Sequence, residues 1–133
     1  MPNISSNSTE LNGLCAALTN PTEISLRKGH IYCHYPVTYG DYIYEDAESA
    51  YQGEKKHSET SMTFLALQDL MTDIITAKLQ QHPRLRATIS HLGGTAWLET
   101  CSHIVNRGRW EGIGPSSPFI SCLIAAYARC RNS

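Results

Sequence analysis

The sequence predicts an α+β fold, a small sheet with an N-terminal β-hairpin surrounded by several helices, on three observations. Residues 30–44 alternate β-branched and aromatic side chains with polar ones around a Gly-Asp turn. From residue 61 the apolar positions move to helical spacing, which runs to His82-Pro83 and resumes beyond it. A single short alternating stretch, residues 95–101, separates those helices from a last one. Strands therefore come first and helices follow. The 133 residues, 41% of them hydrophobic, suffice for one core and leave no comfortable room for a second. Residues 1–22 divide off as an N-terminal segment able to form a short helix, and residues 23–133 as a single domain.

Residues 1 to about 8 are polar and read as loose, and Ser8 to Leu18 can form a helix with Leu11, Leu14, Cys15 and Leu18 as its apolar stripe. Ile31, Cys33, Tyr35 and Val37 then alternate against Tyr32, His34 and Thr38. Tyr39-Gly40-Asp41-Tyr42 supplies a tight turn, giving a hairpin over 30–44 bent at Pro36. The chain next enters a helix with Asp46 as its cap and Glu48 in the first turn, where the helix dipole favours a carboxylate. Tyr51, Gln52 and Lys55 follow three, four and seven residues after Glu48, so Glu48, Gln52 and Lys55 share one face. A long helix from near Ser61 buries Met62, Leu65, Leu70, Met71, Ile74, Ile75 and Leu79. Pro83 opens the next, carrying Leu85, Ile89 and Leu92, and Gly93-Gly94 stops it. Thr95 to Cys101 reads as a short strand, with Ala96, Leu98 and Thr100 opposed to Trp97, Glu99 and Cys101. After a loop from Asn106 to Ser117, Ser116-Ser117-Pro118 begins a final helix with Phe119, Leu123, Ile124 and Tyr127 inward.

Eleven basic and twelve acidic residues give a net charge of -1, which offers no broad electrostatic footprint for nucleic acid or an anionic membrane. The amino terminus lacks a cationic start followed by an apolar run, and no apolar stretch reaches the ~20 residues needed to span a bilayer. A soluble, cytoplasmic protein with no membrane partner is expected. Five cysteines without a CxxC pair argue against a disulfide framework, and buried free thiols are the expectation. His30 with Cys33-His34, and Cys101 with His103, match no standard zinc spacing, so neither a metal nor another cofactor is expected. The sequons at Asn3 and Asn7 carry little weight without a secretory signal.

Two segments carry the residue types of a binding site. In Arg107-Gly108-Arg109-Trp110-Glu111-Gly112-Ile113-Gly114, glycines permit close backbone approach, tryptophan can stack on a base and arginines can hold phosphate. The plainer alternative is a tight connection whose Trp110 plugs the core. For the Glu48 helix the alternative is a solvated helix start in which Glu48 serves only the dipole. Glu99 either points inward to a cationic partner or faces a cleft, where it can bind ribose hydroxyls. His103 titrates in the right range to move protons, yet a single histidine beside Cys101 is more often structural and is not chosen as a site residue.

Taken in order, four blocks resemble the NADAR superfamily, which includes riboflavin-biosynthesis-intermediate N-glycosidases and hydrolases that remove ADP-ribose from guanine. Tyr35-Pro36 before a hairpin, then Tyr44-Glu45-Asp46-Ala47-Glu48-Ser49-Ala50-Tyr51-Gln52 up to Lys55, resembles the family's Y-x-S-x-E-H-A-Y-Q-x-x-K block. Asp69-Leu70-Met71 through Lys78-Leu79-Gln80-Gln81-His82-Pro83-Arg84-Leu85 resembles its M-x-x-x-L-x-x-K-F-x-Q-N-P-x-L helix. Gly93-Gly94-Thr95-Ala96-Trp97-Leu98-Glu99 resembles the T-G-x-x-x-L-x-E strand, and Trp110-Glu111-Gly112-Ile113-Gly114 the W-G-x-G loop. The resemblance covers roughly residues 24–130.

It implies a NADAR-like domain and an N-glycosidase acting on a ribosylated or ADP-ribosylated base or nucleotide metabolite. Such cleavage develops oxocarbenium character on the ribose, and Glu48 would supply negative charge near C1. Lys55 would attack C1 of a ring-opened ribose as a Schiff base if desolvated, with Lys28 and Lys56 as weaker substitutes. The family's aspartate before the W-G loop is absent, and Glu111 would compensate. Trp97 or Trp110 would stack on the base, Gln52 orient a hydroxyl or water, and Arg107 or Arg109 bind phosphate. Tyr51, Glu99, Gly112 and Gly114 complete the binding set. The family's serine-asparagine pair before the hairpin is replaced near Tyr32-Cys33. These departures motivate an alternative, a catalytically inactive ADP-ribose or nucleotide-binding protein; a structural interaction domain is the third reading. Near-neutral charge favours a small-molecule substrate, or one flipped ADP-ribosylated guanine, over extended nucleic acid. The oligomeric state is left open.

Overall fold

A computed structural model describes residues 1–58, 61–106 and 108–131. In chain order it contains helices α1 (Leu14–Ala17) and α2 (Thr22–Arg27), strands β1 (Val37–Tyr39) and β2 (Tyr42–Tyr44), and helices α3 (Ala47–His57), α4 (Phe64–Gln81), α5 (Pro83–Leu92) and α6 (Thr95–Leu98). Strands β3 (Ser102–His103) and β4 (Gly112–Ile113) and helix α7 (Pro118–Arg131) complete it. The architecture is α+β, as expected, but the strands form two separate antiparallel ribbons, β1-β2 and β3-β4, rather than one small sheet.

The core is built around the packing of α4 on α7. On α4 the buried positions Leu67, Met71, Ile74, Ile75, Lys78 and Leu79 follow the three-and-four spacing of a single helical stripe. On α7 they are Phe119, Ile120, Cys122, Leu123, Ala126, Tyr127 and Cys130. The helix starts at Phe64 rather than Ser61 because the Thr63 hydroxyl accepts the Ala66 N–H at 3.1 Å. Leu65 consequently falls on the outer face, 75% exposed, and Leu67 takes the inward place expected of it.

The hairpin is shorter than the alternation of residues 30–44 implied. Its register pairs Val37 with Tyr44, Thr38 with Ile43 and Tyr39 with Tyr42. Pro36 has no N–H to give to a ladder, and its carbonyl accepts instead from His82 Nε2 at 2.7 Å. Gln81 joins in, its side-chain oxygen accepting the Thr38 N–H and its amide donating to the Thr38 carbonyl, both at 2.8 Å.

The amino-terminal residues, read as loose, are tied to β3: Ile4 is fully buried, and its N–H donates to the Ser102 carbonyl at 2.8 Å. The helix expected over Ser8–Leu18 is broken, because Leu11 and Asn12 adopt left-handed φ values of 54° and 56°. What remains is a distorted 3₁₀ turn over Glu10–Gly13 followed by α1, with Leu14, Cys15 and Leu18 buried and Leu11 turned outward. The strand expected at 95–101 is also absent. Leu98 donates to the Gly94 carbonyl at 3.1 Å and Glu99 to that of Thr95 at 3.0 Å, which are helical bonds four residues apart. Four of the cysteines are buried thiols, and Cys33 is exposed. Among the described residues, no helix is long and apolar enough to cross a membrane.

Candidate active site

One buried carboxylate sets the position of Glu48. Asp46 Oδ1 accepts the Ser49 N–H at 2.8 Å, capping α3 as its spacing predicts, while Oδ2 accepts the Glu23 N–H at 3.1 Å in the first turn of α2. Two helix starts are thereby fixed side by side. The Glu48 N–H donates to the Asn20 carbonyl at 3.2 Å, and Gln52 Nε2 donates to Glu48 Oε2 at 2.8 Å across one turn. Glu48 is half-buried and lines a cavity of about 340 Å³ with Tyr51, Gln52 and Lys55 of the same helix.

Arg109 and Trp110 supply the opposite rim. Trp110 stands edge-on to Tyr51, ring centroids 5.9 Å apart, and to Phe64 at 5.0 Å. Its carbonyl accepts from Ser117 Oγ at 2.6 Å and from the Phe119 N–H at 3.2 Å, which locks the loop onto the start of α7. The Arg109 guanidinium lies 4.3 Å from the Phe64 ring centroid, and Lys55 Nζ lies 5.2 Å from that of Tyr51. Lys55 is exposed.

Asn20, which the sequence did not single out, and His103, which it weighed as a proton carrier and did not choose, also line the wall. Asn20 is only 4% exposed; its Nδ2 donates to Met71 Sδ at 3.0 Å, and its buried Oδ1 has no hydrogen-bond partner among the described residues. A buried acceptor left in this state is costly. His103 Nδ1 lies 2.7 Å from the Ile4 carbonyl, and its ring packs on Phe119 at 4.5 Å. Burial holds the imidazole below its ordinary pKa, against the pull of the Ile4 hydrogen bond and Glu111.

Beneath this wall lies Lys78, 1% exposed, whose Nζ donates to the Ala17 and Thr19 carbonyls at 2.6 Å each. Burial pushes its pKa down to about 7, with Asp46 pulling the other way. The ammonium thus closes the carboxyl end of α1 and holds the residue next to Asn20.

The remaining candidates lie elsewhere. Glu99 is exposed at the end of α6, and Trp97 is half-buried on that helix, outside the cavity, because the segment coils instead of extending. Lys28 Nζ donates to Asn7 Oδ1 at 2.7 Å, also outside the cavity. Glu111 accepts the Asn106 N–H through Oε2, so its carboxylate braces the loop rather than lining the cavity. Arg107 lies outside the described residues. Gly112 and Gly114 serve packing. A Cβ on Gly112 would come within 2.9 Å of the Ser117 nitrogen, and one on Gly114 within 2.7 Å of the Glu99 carbonyl. At a φ of 56° Gly114 is also left-handed, so Gly114→Ala is expected to cost roughly 2–4 kcal/mol, read as a fall in thermal midpoint. Among the described residues, no three His, Cys, Asp or Glu side chains group to hold a metal ion. No family model matches the chain, and neither a curated protein nor a solved structure does.

Proposed function

We propose that the protein is an N-glycosidase that hydrolyses the bond between a ribose and a base, with Glu48 as the carboxylate facing the anomeric carbon. One observation carries the reading: a half-buried carboxylate, hydrogen-bonded by a neighbouring amide, shares a cavity with two cations and an aromatic rim. Negative charge there stabilises the oxocarbenium character that develops as the base departs. Gln52 fixes the carboxylate's orientation. Arg109 and Lys55 suit a phosphate on the ribose, and Trp110 gives the base an apolar edge. At about 340 Å³ the cavity is near the small end of the ~300–1,000 Å³ range of ligand pockets, which suits a ribosylated base with one phosphate better than the whole of ADP-ribose.

The NADAR resemblance supports the same reading, since its block from Glu48 to Lys55 and its loop at Trp110 meet at this cavity. Schiff-base attack by Lys55 is the less favoured route, because the amine is exposed.

A second reading, an inactive nucleotide-binding protein, is favoured by the fact that Glu48 is the sole carboxylate lining the cavity among the described residues. The deciding experiment incubates the protein with ribosylaminopyrimidine phosphates and with DNA carrying ADP-ribosylated guanine, followed by chromatography for free base or ADP-ribose. Release supports the glycosidase. ADP-ribose binding without release from any substrate would select the binding protein instead. Asn20→Ala is expected to raise KM about tenfold with little change in kcat, the loss of one hydrogen bond made equally in ground and transition states.

A further inference from the structure

Hydrolysis at a ribose carbon needs a group to take the proton of the attacking water, and Glu48 is already committed to the developing positive charge. We infer that His103 Nε2 is that general base. The inference rests on the N-glycosidase reading and adds a residue to it.

The ring's tautomer is dictated by its neighbour. A carbonyl oxygen only accepts, so the 2.7 Å contact with Ile4 requires the proton on Nδ1, and the neutral ring then carries its lone pair on Nε2. The Ile4 carbonyl cannot drift, because Ile4 is fully buried and its N–H is bonded to Ser102. Phe119 covers one ring face, and β3-β4 pairing sets His103 opposite Gly112. Nε2 has no hydrogen-bond partner among the described residues, and the side chain lines the cavity.

The charged and titratable groups around it are Glu111 behind, and Glu48, Tyr51, Lys55 and Arg109 across the cavity. None competes for the role. Burial raises the Tyr51 pKa and keeps its phenol protonated, while Lys55 and Arg109 are exposed cations. His103 is held below its ordinary pKa and is neutral at pH 7. In the step, the water oxygen bonds to C1 as the C1–N bond breaks, with its electron pair going to the base. Nε2 takes the water proton, and the imidazolium then returns it to the departing nitrogen. The products are the free sugar and the neutral base.

His103→Asn tests this, because an asparagine Nδ2 can keep the bond to Ile4 while the Nε2 position is lost. Expected are an unchanged thermal midpoint, unchanged ADP-ribose binding and a kcat lowered by roughly 100-fold or more. Wild-type kcat/KM should fall on acidification as His103 protonates, and that limb should vanish in the variant. If the variant turns over like the wild type, His103 loses its role and the glycosidase stands; if the wild type releases no base from any substrate, both fall. Imidazole ¹⁵N spectra of the wild type give a readout independent of activity and of the variant's folding. A proton on Nδ1 is expected, and one on Nε2 at neutral pH would overturn the inference.

Discussion

Glu48→Gln is expected to lower base release by about 100-fold or more while leaving the protein folded. The substitution removes charge and almost nothing else. A glutamine side chain can still accept from Gln52 Nε2, and the Glu48 N–H bond to the Asn20 carbonyl belongs to the backbone. The first turn of α3 loses a favourable interaction with the helix dipole, worth about 0.3–1 kcal/mol, and Asp46 still caps it. Stabilising an oxocarbenium ion is a transition-state effect, so kcat should fall and KM should hold. Chromatographic turnover beside a thermal melt separates the two effects. Full turnover in a folded variant would remove the proposed chemistry.

A large and pH-dependent effect on stability is expected at Lys78. Lys78→Met fills the same space but deprives the Ala17 and Thr19 carbonyls of their donor in a site closed to water, a loss of about 2–4 kcal/mol at neutral pH. The pH dependence has a definite sign. The amine's pKa is about 7 when folded and 10.5 when free, so between those values the unfolded chain holds more protons than the folded one. Wild-type stability should therefore rise with pH through that window, by at most about 1.4 kcal/mol per pH unit, and lose this slope below it. The methionine variant should lack the rise. Urea unfolding of both proteins at neutral pH and two units higher reads the difference. Because Thr19 precedes Asn20, the variant should also bind ligand more weakly.

The long helices were legible because their stripes extend over several turns, and the start of α3 because an aspartate cap has a local chemical signature. Alternation over residues 95–101 misled, since four residues of one helical turn display the same pattern as a strand. The break at Leu11 and Asn12 had a partial signal in Asn12 and Gly13, residue types that enter the left-handed region most readily, and none in Leu11. On the site, Glu48, Tyr51, Gln52, Lys55, Arg109 and Trp110 were readable from helix spacing and loop composition, and they do converge. Asn20 was not, and His103 was weighed but set aside as structural, because what places both at the cavity is a bond to a distant chain segment, the sulfur of Met71 and the carbonyl of Ile4. Lys78 left a usable trace: it falls on the apolar stripe with Leu67, Met71 and Ile74, a place where lysine needs a buried partner.

The Gln81 amide, by bonding both polar groups of Thr38, imitates the peptide unit of a neighbouring strand. A two-stranded ribbon ordinarily has two open flanks on which another extended chain can grow. Here one flank is occupied from within the molecule, which confines strand addition to the side of β2, where Ile43 is 80% exposed. Sheet growth between copies therefore has one direction available instead of two, and cannot propagate through the hairpin unless Gln81 is first displaced.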